Sequence, residues 1–281
     1  MSTTTFDKIR QKPFLSTLRE DRWWVGPAAV LGGLTAFIVY GTWAGLQETY
    51  YWVGSGGFGG YLAPFDSPTF FVKEGLPGVA PLSHGLFGSW PTWWPDFLPA
   101  SPALIILVFP AVFRFTCYYY RKAYYRAFTF TPPACAVGAL PRKRKAGYLG
   151  ETGLMVIQNL HRYTMILVIP FIIFFFYDAF LAFFRSGEFG VGIGTILILG
   201  NPITLALYTF GCHSWRHLIG GRRDCFSCDA RSKFDHGSWK FVTKLNQHHQ
   251  LWAWVSLIWI VTTDFYVRMV SMGQITDLNT W

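Results

Sequence analysis

The sequence predicts an all-α membrane protein with five transmembrane helices. Three observations lead there. The 281-residue chain is 52% hydrophobic and 14% charged, whereas soluble domains carry about 25% charged residues. Its 13 Trp and 27 Phe exceed the needs of one soluble core and suit lipid contact and interfacial belts. Apolar runs of about 20 residues, the length that crosses a bilayer, recur along the chain. Residues 1–281 therefore read as a single integral membrane domain. The net charge of +9 does not point to nucleic acid, because the basic residues are confined to particular loops.

The elements follow in order. Residues 1–22 are polar and basic, without an apolar h-region, so no cleavable signal peptide is expected. The predicted spans are 24–46, 102–120, 160–184, 191–218 and 251–272. Pro170 and Pro202 fall inside the third and fourth, where each can kink its helix and leave neighbours to satisfy the freed backbone. The loop 47–101 carries "GSGGFGGY" and "WPTWWPDF". Gly and Pro disfavour a helix there, and the Trp cluster suits the interface. It reads as a lid over the bundle, with room for a short helix or hairpin.

Basic residues set the topology. Lys8, Arg10, Lys12, Arg19 and Arg22 precede the first span. Arg121, Lys122, Arg126 and Arg142–Lys145 lie between the second and third. Arg222, Arg223, Arg231, Lys233, Lys240 and Lys244 lie between the fourth and fifth. The opposite segments hold only Lys73, Arg185 and Arg268. This alternation predicts a cytoplasmic N-terminus, an outside C-terminus and a long outer loop between helices one and two.

The stretch "GCHSWRHLIGGRRDCFSCD" (211–229) concentrates metal-ligating residues at the cytoplasmic end of helix four. His213 and His217 are four apart and share a helical face. Cys225 and Cys228 form a C-x-x-C chelate, and Cys212 and His236 can substitute for a member of the set. Two Cys and two His match a Rieske-like [2Fe–2S] centre, although the C-x-H and C-x-x-H motifs of Rieske proteins are absent. A structural zinc suits the same ligands. A third alternative leaves the thiols unmetallated, with a haem elsewhere. Cys117 and Cys135 read as ordinary structural residues. His84 is the only histidine toward the outer side, so a stacked pair of haems is not expected. One haem b near the cytoplasmic face remains an alternative, using His161 or His213 with His248.

Five helices with a cytoplasmic N-terminus and a cytoplasm-facing redox site resemble the membrane anchor of a succinate dehydrogenase or fumarate reductase. The run His217-Leu-Ile-Gly-Gly-Arg222-Arg223-Asp224 is similar to the H-x-x-x-G-x-R-H segment of cytochrome b subunits in that family, with Asp224 in place of its second His. The Trp-rich composition resembles the actinobacterial branch. The resemblance implies a flavoprotein and an iron–sulfur subunit docked on the cytoplasmic face, electron transfer to a membrane quinone, and His217 as a haem ligand. It leaves a further small membrane subunit open. It also implies a multi-pass protein of the bacterial plasma membrane, part of an enzyme complex but without the dehydrogenase chemistry itself.

A quinone head group needs hydrogen-bond donors and an apolar entrance. Trp215, Arg216, Trp239, Lys240, His248 and Trp254 lie at a suitable depth, although Trp and Lys at an interface also serve as plain anchors. Among ionisable residues in spans, Asp264 and Arg268 are placed to pair at i, i+4. Asp178 is a candidate for a proton path with Asp264, and Arg114 is expected to snorkel. The rival classes are a transporter with a structural zinc site, which the scarcity of midplane charges disfavours, and a thiol–disulfide redox protein using Cys225 and Cys228.

Overall fold

A computed structural model describes residues 21–54, 59–129, 150–185, 187–220 and 224–281. Cys135 and the basic run 142–145 lie outside the described residues, as does most of the N-terminal tail.

Among the described residues, four helices are long and apolar enough to cross a bilayer. They are α1 (Val25–Gly45), the 159–182 portion of α5 (Gly150–Ala182), α6 (Ile193–Phe210) and α9 (His249–Ser271). The fifth span is broken. After the short helix α2 (Pro102–Ile106), α3 (Val108–Thr116) ends at Cys117, and α4 (Tyr118–Thr129) leaves at 82°. The predicted second span 102–120 is thus no straight rod: Cys117 is extended, with φ −61° and ψ 131°. The predicted fourth span 191–218 also divides. It stops at Gly211, and α7 (His213–Gly220) begins one residue after Cys212. α8 (Ala230–Gln247) then precedes α9, its first turn capped by Asp229, which accepts from the Ser232 amide at 2.6 Å.

α5, α6 and α9 form the centre of the bundle, with α3 against α5 and α4 against α1. Leu34, Phe113, Met165, Val168, Ile172, Leu205, Tyr208 and Leu257 build its core. Gly200 lets α6 and α9 approach closely, since a Cβ there would lie 2.2 Å from the Trp259 ring. Neither internal proline ends its helix. Near Pro202, which leaves the Ile198 carbonyl without its helical amide, Trp259 and Thr263 donate to the neighbouring Leu197 carbonyl at 2.8 and 3.2 Å and tie α9 to α6.

The segment between α1 and α2 folds as a cap over one end. Strands β1 (Trp52–Val53) and β2 (Tyr61–Leu62) pair antiparallel, and Tyr51, Tyr61, Phe65 and Val72 are buried. A second small hairpin joins β3 (Phe184–Arg185) to β4 (Glu188–Phe189). One ion cluster pins the cap. Arg268 pairs with Asp264 at 2.8 Å, the i, i+4 contact expected from sequence, and also with Asp66 of the cap at 2.5 Å. All three side chains are fully buried. Asp264 also accepts from the Phe65 amide and the Tyr40 hydroxyl, and Asp66 accepts from the Ala103 amide. At the C-terminus, Asp277 accepts from Tyr61 and Tyr266 at 2.7 and 2.6 Å.

Removing one partner of a buried ion pair costs about 3–5 kcal/mol. Arg268→Ala should therefore lower the thermal unfolding midpoint of the detergent-purified protein far more than Lys73→Ala, which breaks only an exposed pair with Glu48. Equal midpoints would refute the anchoring role of Arg268. Burial alone would raise the Asp277 carboxyl, but the hydrogen bonds from Tyr266, Tyr61 and the Gly194 amide outweigh it and hold the group below the ordinary range. A depressed carboxyl stabilises the fold fully above the ordinary value, about 3.9, and loses that contribution as pH falls through the folded-state value. Asp277→Asn should accordingly destabilise the protein at neutral pH, with the deficit shrinking in thermal melts taken toward pH 3.

Candidate functional site

Two cysteines and two histidines converge at the end of the bundle away from the cap. Both cysteines stand at helix breaks, Cys117 between α3 and α4 and Cys212 between α6 and α7. A break frees each from its helical register, and both thiols are free and buried. His161 lies on α5 with its Nε2 3.1 Å from Cys212 Sγ. His249 opens α9 with its Nε2 3.6 Å from Cys117 Sγ. The members of these pairs are 51 and 132 positions apart in sequence.

Aromatic rings hold the imidazoles. Phe113 stacks on His161 with centroids 4.8 Å apart and planes at 6°. Tyr208 stacks on His249 at 4.9 Å and 17°, and the Phe113 and Tyr208 rings meet edge to face. The Nδ1 of His161 faces the Thr116 hydroxyl at 3.1 Å, the outer contact that orients a ligating imidazole. His249 Nδ1 is buried without a hydrogen-bond partner among the described residues. Arg114 adjoins this layer. It does not snorkel as expected: it is 9% exposed and turns inward, donating to the Tyr120 hydroxyl, the Ser256 hydroxyl and the Ala253 carbonyl. Its guanidinium lies 4.9 Å from the Tyr208 ring centroid.

The metal-ligand candidates read from sequence are distributed differently. Cys225 and Cys228 are joined in a disulfide, with Cα atoms 5.9 Å apart. In that state they offer no thiolates to the zinc or cluster chelate expected there. His213 and His217 are exposed, and His236 stacks on Trp239. The break at Gly211 is the physical reason: it turns Cys212 into the core while the short helix after it presents both histidines outward. Only Cys212 of the six enters the buried cluster. Cys117, read as structural, belongs to it, as do His161 and His249. Their common signal was depth, since all four fall near the same end of their predicted spans. Among the described residues, no three His, Cys, Asp or Glu side chains form a group that holds one metal ion. Two pairs, each of one thiol and one imidazole, are present instead.

The quinone candidates divide. Arg216 donates to Thr243 at 3.0 Å and lies over the Trp239 ring, tying α7 to α8. Trp215 packs on Phe210, while Lys240 and His248 are exposed. Trp254 stands apart. Its indole donates to the Tyr119 hydroxyl at 2.8 Å. It also lines an apolar groove of about 450 Å³ between α1 and α9, with Gly33, Phe37, Tyr40 and Phe265. At the cap end, Asp178 accepts from Ser67 beside a cavity of about 460 Å³ that His84 also lines.

Residues 25–273 match the family described as actinobacterial succinate dehydrogenase subunit SdhC. The chain belongs to this family. Its fold is also similar to a chain of the Mycobacterium smegmatis Sdh1 complex in the apo form, with a TM-score of 0.79 and 40% identity over 96% of each chain. No curated protein sequence matches. As an SdhC family member the chain is a membrane subunit of a succinate dehydrogenase, multi-pass in the plasma membrane. Family membership sets aside the transporter and the thiol–disulfide alternatives.

The disulfide assignment carries a direct test. Cys225→Ser and Cys228→Ser should leave iron content and quinone reduction of the purified complex unchanged. A loss of iron in either variant would return the site to the C-x-x-C loop.

Proposed function

We propose that this chain is the membrane relay of a succinate:quinone oxidoreductase, holding a Rieske-like [2Fe–2S] centre between Cys117, Cys212, His161 and His249. The carrying observation is the convergence of two buried, free thiols with two imidazoles at one end of the bundle. The donor set fits the group. A binuclear centre takes two ligands per iron, thiolates on one and imidazoles on the other, so no three ligands need meet at one point. When bound, such a centre supplies one-electron transfer between a docked iron–sulfur subunit and a membrane quinone. The chain's own residues hold it: helix breaks present the thiols, Phe113 and Tyr208 fix the imidazole planes, and the apolar core excludes water. A single haem b ligated by His161 and His249 fits less well. Each imidazole turns its Nε2 to a thiol, where a haem would need its iron: His161 to Cys212 at 3.1 Å and His249 to Cys117 at 3.6 Å.

In this reading a flavoprotein and an iron–sulfur subunit dock on the cytoplasmic face, with the N-terminus cytoplasmic and the C-terminus outside, an orientation that the alternation of basic loops supports. Arg216, Trp215, Trp239, Lys240 and His248 then line the docking side. Trp254 is the best placed of the residues proposed for the quinone head group. Tyr119, its hydrogen-bond partner, is two residues from Cys117, and the groove beside it is open to an isoprenoid tail.

Iron and acid-labile sulfide analysis with EPR on the purified complex tests the centre. Cys117→Ser, Cys212→Ser, His161→Ala and His249→Ala should each abolish the low-average-g signal of the reduced centre and the reduction of quinone by succinate. A haem optical spectrum without a cluster signal would overturn the reading. Trp254→Phe removes one hydrogen-bond donor, worth about 1 kcal/mol, so the KM for quinone should rise roughly fivefold with the EPR signal intact. An unchanged KM would remove Trp254 from the quinone site.

A further inference from the structure

We infer that Arg114 is a positioning residue that raises the reduction potential of the centre by holding an uncompensated positive charge beside it. The inference rests on the [2Fe–2S] reading above.

Arg114 and Arg268 are both buried in the bundle, yet they are treated oppositely. Arg268 is bracketed by Asp66 and Asp264. Arg114 bonds only neutral acceptors: the Tyr120 hydroxyl at 2.8 Å, the Ala253 carbonyl at 3.3 Å and the Ser256 hydroxyl at 3.0 Å. It forms no ion pair among the described residues. The groups around it are Tyr120 from α4, Tyr208 from α6, and Ala253 and Ser256 from α9, with no carboxylate among these contacts. A guanidinium withdrawn from water without a counter-anion is costly, and such residues in membrane spans mark function.

The missing anion is supplied by the chemistry of the ligand cluster. An oxidised centre of two ferric ions, two sulfides, two thiolates and two neutral imidazoles has no net charge. One electron, delivered by the docked iron–sulfur subunit, makes it monoanionic. A fixed cation nearby therefore stabilises the reduced form over the oxidised one. Arg114 is close enough to do so. It is three residues before Cys117, and its guanidinium lies 4.9 Å from the Tyr208 ring that stacks on His249. The surroundings are apolar core, where charge interactions are stronger than in water and salt screens them little.

The test is a potentiometric EPR titration of the purified complex. Arg114→Gln keeps an amide donor and removes the charge, so the midpoint potential should fall. Arg114→Lys keeps the charge, so the midpoint should stay near that of the wild type. Where Arg114→Gln does not assemble, Ser256→Asp sets a carboxylate against the intact guanidinium and should lower the midpoint in the same direction. An unchanged midpoint in Arg114→Gln or Ser256→Asp, with the signal at full intensity, overturns the inference. An equal fall in Arg114→Lys and Arg114→Gln overturns it too, because geometry rather than charge would then be responsible. A wild-type complex with no cluster signal refutes the centre itself, which separates that failure from failure of the Arg114 role.

Discussion

The fully buried bridge of Arg268 between Asp264 and Asp66 is the contact on which the tertiary arrangement depends. Asp264 and Arg268 share α9, whereas Asp66 belongs to the cap, so the bridge joins the longest loop of the molecule to the centre of the bundle. An apolar interior makes this contact strong and unforgiving, because each charge has no water to fall back on. The neutral donors around it complete the arrangement: the amides of Phe65 and Ala103 and the hydroxyl of Tyr40 occupy carboxylate oxygens that would otherwise be bare. The cap is thereby held as folded structure, and α1 and α2, which flank it, are held in place with it.

The opposite end follows a different logic. There the helices are interrupted rather than clamped. Thr116 and Phe210 end their helices one and two residues before a cysteine, and His249 starts the last helix. Regular helix would commit each side chain to a face set by its 3.6-residue period. Interruption lets Cys117 and Cys212 point inward from helices that otherwise present aliphatic and aromatic packing. The aromatic layer of Phe113 and Tyr208 then does for the imidazoles what the breaks do for the thiols. This SdhC-family subunit combines a capped end with an end where two buried thiols meet two imidazoles, beside an arginine that forms no ion pair among the described residues.

Sequence reasoning reached a bundle of four or five apolar helices and the Asp264–Arg268 pair because each rests on local information. A run of apolar residues, a Gly/Pro-rich stretch or an i, i+4 spacing is visible within a short window. The same reasoning failed where local density misled it. "CHSWRHLIGGRRDCFSC" gathers ligand types within a few turns, but a short exposed helix turns His213 and His217 outward and a disulfide consumes Cys225 and Cys228. The cluster that does form draws single residues from α5, α9 and two helix breaks. Of the six ligand candidates in that stretch and its neighbourhood, only Cys212 joins the buried group of Cys117, His161 and His249.

By itself the sequence determined that the chain lives in a membrane, roughly where it crosses, and that its basic residues alternate between loops. Those properties are sums over composition and period, and they hold for any packing of the helices. Which cysteines meet which histidines was decided only by tertiary structure. That outcome depends on two backbone breaks, on the 82° turn at Cys117, and on long-range packing of α6 against α5 and α9. The fate of Arg114 was decided in the same way. A lone arginine near a span end can reach for the interface or turn inward, and only the positions of Tyr120, Tyr208 and Ser256 around it select the second.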